Sequence, residues 1–180
     1  MKFIASPIAD LFIVQPQVFE DARGCFFESY SQNAFLKQGI NVEFVQDNQS
    51  LSQKGVLRGL HFQNPPFAQG KLVRVIKGAV LDVVVDIRKK SLSYGKSFSC
   101  ELNEENKTML WIPPGFAHGF LTLKNDTIFS YKCTGLYNKA SENAILWNDP
   151  DLKINWPILE PILSEKDTQA KKFKELESLF

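Results

Sequence analysis

Short apolar or alternating runs, each ended by a turn signal, follow one another along most of this 180-residue chain. Residues 71–76 and 79–87 are the clearest of these runs, and both are rich in β-branched side chains, which favour strands. Only Lys77-Gly78 stands between them, a spacing that predicts a tight hairpin. About ten short strands at regular spacing indicate an all-β fold, a β-sandwich or barrel such as a jelly roll.

Helical patterns are few. Residues 31–38 predict a short helix, with Ser31 as its N-cap and Gly39 ending it. Residues 166–176 are interpreted as one C-terminal helix. No linker, repeat or low-complexity segment interrupts the chain, so we expect a single domain over residues 1–180.

Bulk composition limits the classes of partner. The net charge of +1 creates no global field that would favour nucleic acid or a membrane surface. The three cysteines lack Cys-x-x-Cys spacing, which argues against a disulfide framework or a zinc site. There is no signal-peptide core, and no apolar run approaches the roughly 20 residues that span a bilayer. We therefore expect a cytoplasmic protein that binds neither nucleic acid nor membrane.

Residues 55–63 contain one of only two histidines in the chain. If this run is a strand, His61 and Gln63 share one face, while Arg58 has the opposite parity. Gly59 would permit a local bend that brings Arg58 to the same side. A histidine beside a fixed cation is suited to taking a proton from an anionic substrate. The alternative is a structural histidine whose ring nitrogens are satisfied by hydrogen bonds.

Residues 111–120 contain the other histidine, His118, after Pro113-Pro114-Gly115. The two prolines and the glycine make a stiff, sharply turned segment that would deliver His118 to a fixed place. The segment is equally compatible with a buried turn whose histidine caps a backbone group. A metal-binding cupin would show His-x-His, but position 63 is Gln, so we expect no metal. Two histidines with one carboxylate remain an open alternative.

Other polar side chains lie on the predicted strands. Tyr131 belongs to a late strand, and a phenol with a pKa near 10 can hold a proton at neutral pH and still donate it to a carbanion. Strand-borne cations are mostly solvated, but at a barrel mouth they can clamp a diphosphate. Arg23 and Lys71 are the stronger candidates for such a clamp, since each lies beside a glycine.

An ordered set of motifs covering nearly the whole chain resembles the dTDP-4-dehydrorhamnose 3,5-epimerase family. No single motif is decisive, but their order is highly specific. The matching segments are residues 19–24, 46–50, 57–63, 69–75, 82–88, 111–120, 147–150 and 154–157.

The resemblance implies a cupin-like jelly roll, usually a homodimer in which N-terminal strands cross between subunits. It implies a cofactor-free epimerase acting on a nucleotide-diphosphate 4-keto-6-deoxy sugar. By the same resemblance His61 is the base, and Asp167, in the Leu-Ser-x-Lys-Asp motif at residues 163–167, is its carboxylate partner. Tyr131 is the opposing acid, and Lys71 lies near the keto oxygen of the sugar.

The resemblance also implies a set of substrate-binding residues. Arg23 and Arg58 match residues that bind the diphosphate, and Gln46 and Asn48 match contacts to the nucleotide sugar. Glu28 is expected to contact the substrate, and His118 matches the sugar pocket more loosely.

Three alternatives remain open at this point. The same chemistry could act on another substrate, such as a GDP-linked 4-keto heptose, or could invert one centre only, because residues 64–68 could reshape the pocket. A 3,4-ketoisomerase would move the carbonyl, but those relatives have a close histidine pair that this sequence lacks. A non-catalytic nucleotide-sugar-binding jelly roll would have no reason to keep His61, Lys71, Tyr131 and Asp167 together.

Overall fold

The computed structural model describes residues 1–180 and is built mainly of antiparallel strands. The strands are β1 (Lys2–Ala5), β2 (Phe12–Gln15), β3 (Val18–Asp21), β4 (Gly24–Phe27), β5 (Gln46–Ser52), β6 (Leu57–Gln63), β7 (Lys71–Lys77), β8 (Ala79–Asp86), β9 (Ser97–Asn103), β10 (Met109–Ile112), β11 (Phe116–Thr122), β12 (Thr127–Cys133) and β13 (Glu142–Ala144).

The strands form two large sheets and one separate hairpin. A six-stranded sheet has the order β1-β2-β10-β7-β12-β5, and a five-stranded sheet has the order β13-β6-β11-β8-β9. Strands β3 and β4 pair only with each other. Neighbours within a sheet are mostly distant in sequence, as expected of a jelly roll. The prediction of an all-β, cupin-like jelly roll is confirmed.

The main core lies between the two large sheets. Val73 and Val75 of β7 pack there with Val80 and Val84 of β8, and Phe120 of β11 joins the same cluster. Alternate residues of these strands face inward, which follows from the two-residue period of a strand. The packed interior fixes the distance between the sheets, and therefore between side chains that face each other across the gap.

Strand β8 is buried along almost its whole length, not on alternate residues. Its second face, carrying Val83 and Val85, packs under the C-terminal part of the chain, including Leu152, Phe173 and Leu176. A strand covered on both faces carries apolar residues on both, which accounts for the mostly apolar sequence at residues 79–87, rich in β-branched side chains.

The predicted hairpin at Lys77-Gly78 is wrong. Strand β7 pairs with β10 and β12, whereas β8 pairs with β9 and β11, so the chain passes from one sheet to the other at this point. Gly78 has a φ of +85°, and a Cβ there would lie 2.2 Å from Oγ1 of Thr127. The β-branched composition of β7 and β8 specifies two strands, but it does not specify which strands they pair with.

The single C-terminal helix is also wrong. The segment forms a four-residue helix, α2 (Glu165–Thr168), and later a 3₁₀ turn at Phe173–Glu175. Between them the chain is extended, and the carbonyl of Lys171 accepts a hydrogen bond from the amide of Leu146. Its apolar side chains pack on β8 in this irregular form, so tertiary contacts outweigh local helix propensity.

The short helix near residue 31 is confirmed as α1 (Gln32–Lys37). Ser31 occupies the N-cap position, although its side chain makes no capping hydrogen bond. Phe35 is the buried residue of this helix and packs under β10 and β2 with Trp111 and Val14. None of the helices has the length and apolar character that a bilayer crossing requires.

Replacing Gly78 with Ala tests the sheet-to-sheet passage. Gly39→Ala is a matched control, because Gly39 has nearly the same φ, +84°, with open space around it. We expect Gly39→Ala to lower the free energy of unfolding by about 1 kcal/mol through backbone strain. Gly78→Ala should lower the free energy of unfolding by about 1–3 kcal/mol more than Gly39→Ala does, because its methyl group is overpacked against Thr127. Urea unfolding measures both, and equal losses would contradict the close contact.

Candidate active site

A cavity of about 480 Å³ opens between the two sheets. Side chains from both sheets and from the C-terminal segment line it. Those used below are Ser50, Arg58, His61, Lys71, His118, Tyr131, Lys166 and Asp167. The catalytic residues that the sequence predicted are therefore brought to one place, from strands β6, β7 and β12 and helix α2.

His61 and Asp167 form a short polar contact in the cavity. Nε2 of His61 lies 2.5 Å from Oδ1 of Asp167, and the two side chains are 29% and 3% exposed. Burial alone would raise the pKa of Asp167, but the hydrogen bond and charge of His61, together with the Ser164 hydrogen bond and the charge of Lys166, hold that pKa below its usual value. Asp167 is thus an ionised acceptor that fixes the ring of His61 and leaves Nδ1 facing away from the carboxylate.

The bend expected at Gly59 is present. Strand β6 pairs with β11 at His61 and at Arg58, and the register shifts between these two pairs. Gly59 has a φ of +139°, and a Cβ there would lie 2.5 Å from Cα of Gly119. Only glycine fits this close approach of two backbones. The shift lets Arg58 and His61 line the same cavity, and Nε of Arg58 donates to Oγ of Ser52 at 3.3 Å.

Tyr131 and Lys71 come from the opposing six-stranded sheet. Nζ of Lys71 lies 6.0 Å from the centroid of the Tyr131 ring. Burial lowers the pKa of Lys71 and raises the pKa of Tyr131 above its ordinary value. The phenol therefore keeps its proton at neutral pH, and the cavity holds an ammonium group for which the chain provides no hydrogen-bonding partner.

His118 forms a second, separate histidine–aspartate pair. Nε2 of His118 lies 2.9 Å from Oδ2 of Asp82, and both side chains are buried. His118 lies within strand β11, directly opposite His61 in the register, and not on the preceding turn. Sequence reasoning gave Asp82 no role. Its signal is a carboxylate in the middle of the mostly apolar run of β8, since a buried charge requires a partner.

Gln46 and Asn48 line a smaller, adjoining cavity of about 300 Å³. Both project from β5, and Nε2 of Gln46 donates to Oδ1 of Asn48 at 3.0 Å. Tyr137 and Glu142, which sequence reasoning missed, line this cavity as well. Alternation along β5 could have added Ser50, which shares the inward face and has a buried, unpartnered hydroxyl.

Arg23 and Glu28 are not brought to either cavity of their own chain. Arg23 lies at the tip of the β3–β4 hairpin, where its side chain is 90% exposed and pairs with Asp21 at 2.6 Å. Glu28 follows β4. These two predicted substrate contacts of the N-terminal region therefore lie away from the other eight predicted site residues.

No three histidine, cysteine, aspartate or glutamate side chains are grouped as a metal site. His61 with Asp167 and His118 with Asp82 are two separate pairs. The set of two histidines and one carboxylate that the sequence left open is not assembled.

Comparison with known proteins agrees with this constellation. The family model described as dTDP-4-dehydrorhamnose 3,5-epimerase matches residues 5–175. The chain belongs to this family. Its members are isomerases, and the resemblance found in the sequence is confirmed.

Relatives match the chain over almost its whole length. The chain is 53% identical to the dTDP-4-dehydrorhamnose 3,5-epimerase of Salmonella typhimurium over 172 residues, which is 94% of each chain. It is 52% identical to the enzyme of the same name from Shigella flexneri, over 96% of each chain. The crystal structure of the 3,5-epimerase from Legionella pneumophila in complex with dTDP-4-keto-L-rhamnose superposes with a TM-score of 0.94, at 46% identity, and covers 98% of this chain and 94% of that one.

Lys71 provides a test of the burial of charge in the cavity. Its folded-state pKa is depressed, so the penalty for charging it is fully present at neutral pH and disappears above its unfolded pKa. We expect Lys71→Met to raise the free energy of unfolding by about 1 kcal/mol at pH 7, because an apolar side chain fits the site without that penalty. Urea unfolding at pH 7 measures it. Lys132→Met, on the outward face of β12, is the control. Equal changes in the free energy of unfolding for the two variants would contradict a charging penalty specific to Lys71.

Proposed function

We propose that this epimerase converts dTDP-4-dehydro-6-deoxyglucose to dTDP-4-dehydrorhamnose by inverting C3 and C5 of the sugar without a cofactor. The proposal rests on one observation, that two groups capable of proton transfer face each other across one cavity. The His61–Asp167 pair lies on the wall formed by β6 and α2, and Tyr131 lies on the wall formed by β12. Family membership and the ligand named for the Legionella structure support the choice of substrate.

The reaction begins with removal of a proton from carbon. The C4 ketone acidifies the C3 and C5 hydrogens, because the carbanion delocalises onto oxygen as an enolate. His61 takes the proton on Nδ1, and Asp167 orients the imidazole and stabilises the imidazolium that forms. The enolate oxygen gains the negative charge that the carbon loses. Lys71, whose ammonium group has no partner in the chain, stabilises that oxygen.

Inversion requires the proton to return from the opposite side. Tyr131 donates its hydroxyl proton to carbon on the face away from His61, and the enolate collapses to the ketone. The phenolate then regains a proton from water while the imidazolium releases one, so that both groups are reset. Protons balance, and no electrons leave the substrate. The raised pKa of Tyr131 agrees with its role as an acid that remains protonated at neutral pH.

The nucleotide diphosphate would be held by groups around the same cavities. Arg58, steadied by Ser52, faces the cavity from β6, and Gln46 and Asn48 face the adjoining cavity from β5. His118, paired with Asp82, would contact the sugar. The three cysteines are free thiols, which agrees with a reducing compartment, and we assign the enzyme to the cytoplasm.

We also propose that the enzyme is a homodimer. The β3–β4 hairpin carries Phe19 and Phe26, which are 56% and 69% exposed, and it pairs with no other strand of its own chain. Exposed aromatic side chains of this kind mark interaction surfaces. If the hairpin crosses to a second copy, it can deliver Arg23 and Glu28 to that copy's cavity, in agreement with the substrate contacts that the family resemblance predicts for them.

Deuterium incorporation tests the chemistry. In deuterated water the wild-type enzyme should place deuterium at C3 and C5 of dTDP-4-dehydro-6-deoxyglucose, as followed by NMR. His61→Ala should slow exchange by about 10²- to 10⁴-fold, because the general base is lost. Tyr131→Phe should retain exchange and lose inversion.

The same assay distinguishes the alternatives. Exchange at one centre only would show a single-centre epimerase, and preference for a GDP-linked 4-keto heptose would change the substrate. Binding of every nucleotide sugar without exchange would show a non-catalytic jelly roll. Wild-type exchange in His61→Ala would show that the base is elsewhere.

Subunit complementation tests the crossing hairpin. His61→Ala and Arg23→Ala should each give a homodimer with little activity at low substrate concentration. A mixed dimer should regain one complete site, because wild-type Arg23 from one chain reaches wild-type His61 of the other. If Arg23 served its own chain, both sites of the mixed dimer would stay defective. Activity is measured as a function of the mixing ratio of the two variants, and analytical ultracentrifugation checks that they form a dimer. Recovered activity shows that Arg23 serves the other chain, and its absence shows that Arg23 serves its own.

A further inference from the structure

A row of polar contacts outside the proposed catalytic set links the C-terminal segment to both sheets. Nζ of Lys166 pairs with Oε1 of Glu142. The hydroxyl of Tyr137 donates to Oε2 of the same carboxylate at 2.9 Å, and the amide of Tyr137 donates to Oε1 of Gln46 at 3.0 Å. Glu142 therefore links helix α2 to the loop after β12, and Tyr137 links that loop to strand β5.

Asp167 depends on few attachments for its position. Helix α2 has only four residues, and Ser164 caps it by accepting from the amide of Asp167. The flanking attachments to the sheets are backbone hydrogen bonds at Ile162 and at Lys171. Between those two residues, the only polar side-chain contacts with the sheets are Asp167 with His61 and Lys166 with Glu142.

The two contacts reach neighbouring strands. Glu142 lies on β13 opposite Gln63 of β6, and Ala144 of β13 lies opposite His61. Adjacent residues of α2 are thus held at two points on the same pair of strands. Two separated attachments fix both the position and the rotation of a short helix, whereas the hydrogen bond to His61 alone would leave α2 free to turn about it.

The pairing also controls the charge near His61. Burial alone would raise the pKa of Glu142, but hydrogen bonds from Lys166 and Tyr137 hold it below its usual value. Glu142 is thus ionised in the cavity that His61 lines. With its oxygens engaged by Lys166 and Tyr137, this second carboxylate does not compete with Asp167 for the ring N–H of His61.

We propose that Glu142 is a positioning residue of the epimerisation, which with Lys166 holds α2 so that Asp167 keeps its hydrogen bond to His61. The proposal rests on the function proposed above. It predicts that Glu142 acts on the proton-transfer step through Asp167 and not by binding the substrate.

Kinetics of matched variants give the first test. Glu142→Gln keeps the size of the side chain and its contact with Tyr137, and Lys166→Met removes the other partner. Each should lower kcat by about 10- to 100-fold with little change in KM, because small displacements of a catalytic group have effects of this size. The double variant Glu142→Lys with Lys166→Glu should recover most of kcat. Lys124→Met, which breaks the exposed pair with Glu105, is the control and should leave kcat unchanged.

Proton NMR of the unliganded enzyme gives a readout independent of activity. The chain has only two histidines, each paired with an aspartate, so two low-field imidazole protons are expected. Asp167→Asn identifies the His61 resonance by its loss. Glu142→Gln and Lys166→Met should shift or broaden that resonance and leave the His118 resonance in place, which also reports that the variants are folded.

The outcomes separate this inference from the proposed function. A wild-type enzyme without exchange activity would overturn the function and this inference with it. With an active wild type, unchanged kcat in Glu142→Gln, or a rise in KM alone, would overturn the inference and leave the function standing. An unchanged His61 resonance in both single variants, or failure of the charge-swapped variant to recover, would also overturn it.

Discussion

The hydrogen bond between His61 and Asp167 joins parts of the chain that are 106 residues apart. It exists only because the C-terminal segment lies along the outer side of the five-stranded sheet. That segment is held by apolar side chains such as Phe173 and Leu176, which cover Val83 and Val85 of β8. The packing that stabilises the second face of the sheet thus also brings the carboxylate of Asp167 to His61, so the stability of the fold and the proposed chemistry depend on one set of contacts.

The cavity is polar at some cost to stability. Lys71 is half-buried and its ammonium group has no hydrogen-bonding partner in the chain, and the hydroxyl of Ser50 is buried without a hydrogen bond. Each unsatisfied polar group of this kind costs about 1–3 kcal/mol. A keto sugar would supply the missing partners. The apolar layer of Val73, Val84 and Phe120 beneath the cavity offsets the cost by packing the two sheets firmly together.

Much of the fold could be predicted from sequence, since strand alternation and turn residues are local signals. The pairing of strands could not, because β7 and β8 have the same sequence pattern whether they form a hairpin or enter different sheets, and only their partners in the folded chain reveal the passage. The prediction of a C-terminal helix was wrong for a related reason, since Phe173 and Leu176 pack on a strand that is distant in sequence. Motifs indicated His61, Tyr131, Lys71 and Asp167. Asp82 has a signal only as a carboxylate in an apolar run, and its partner His118, like the pairing of Glu142 with Lys166, is seen only in the folded chain.

The long separation between base and carboxylate has a consequence for biosynthesis. A ribosome completes the strand that carries His61 well before it adds the residues of α2. A nascent chain that has already paired β6 with β11 therefore has an imidazole without its carboxylate. The pair on which the proposed proton abstraction depends is therefore complete only late in translation, after most strands of the jelly roll have been made.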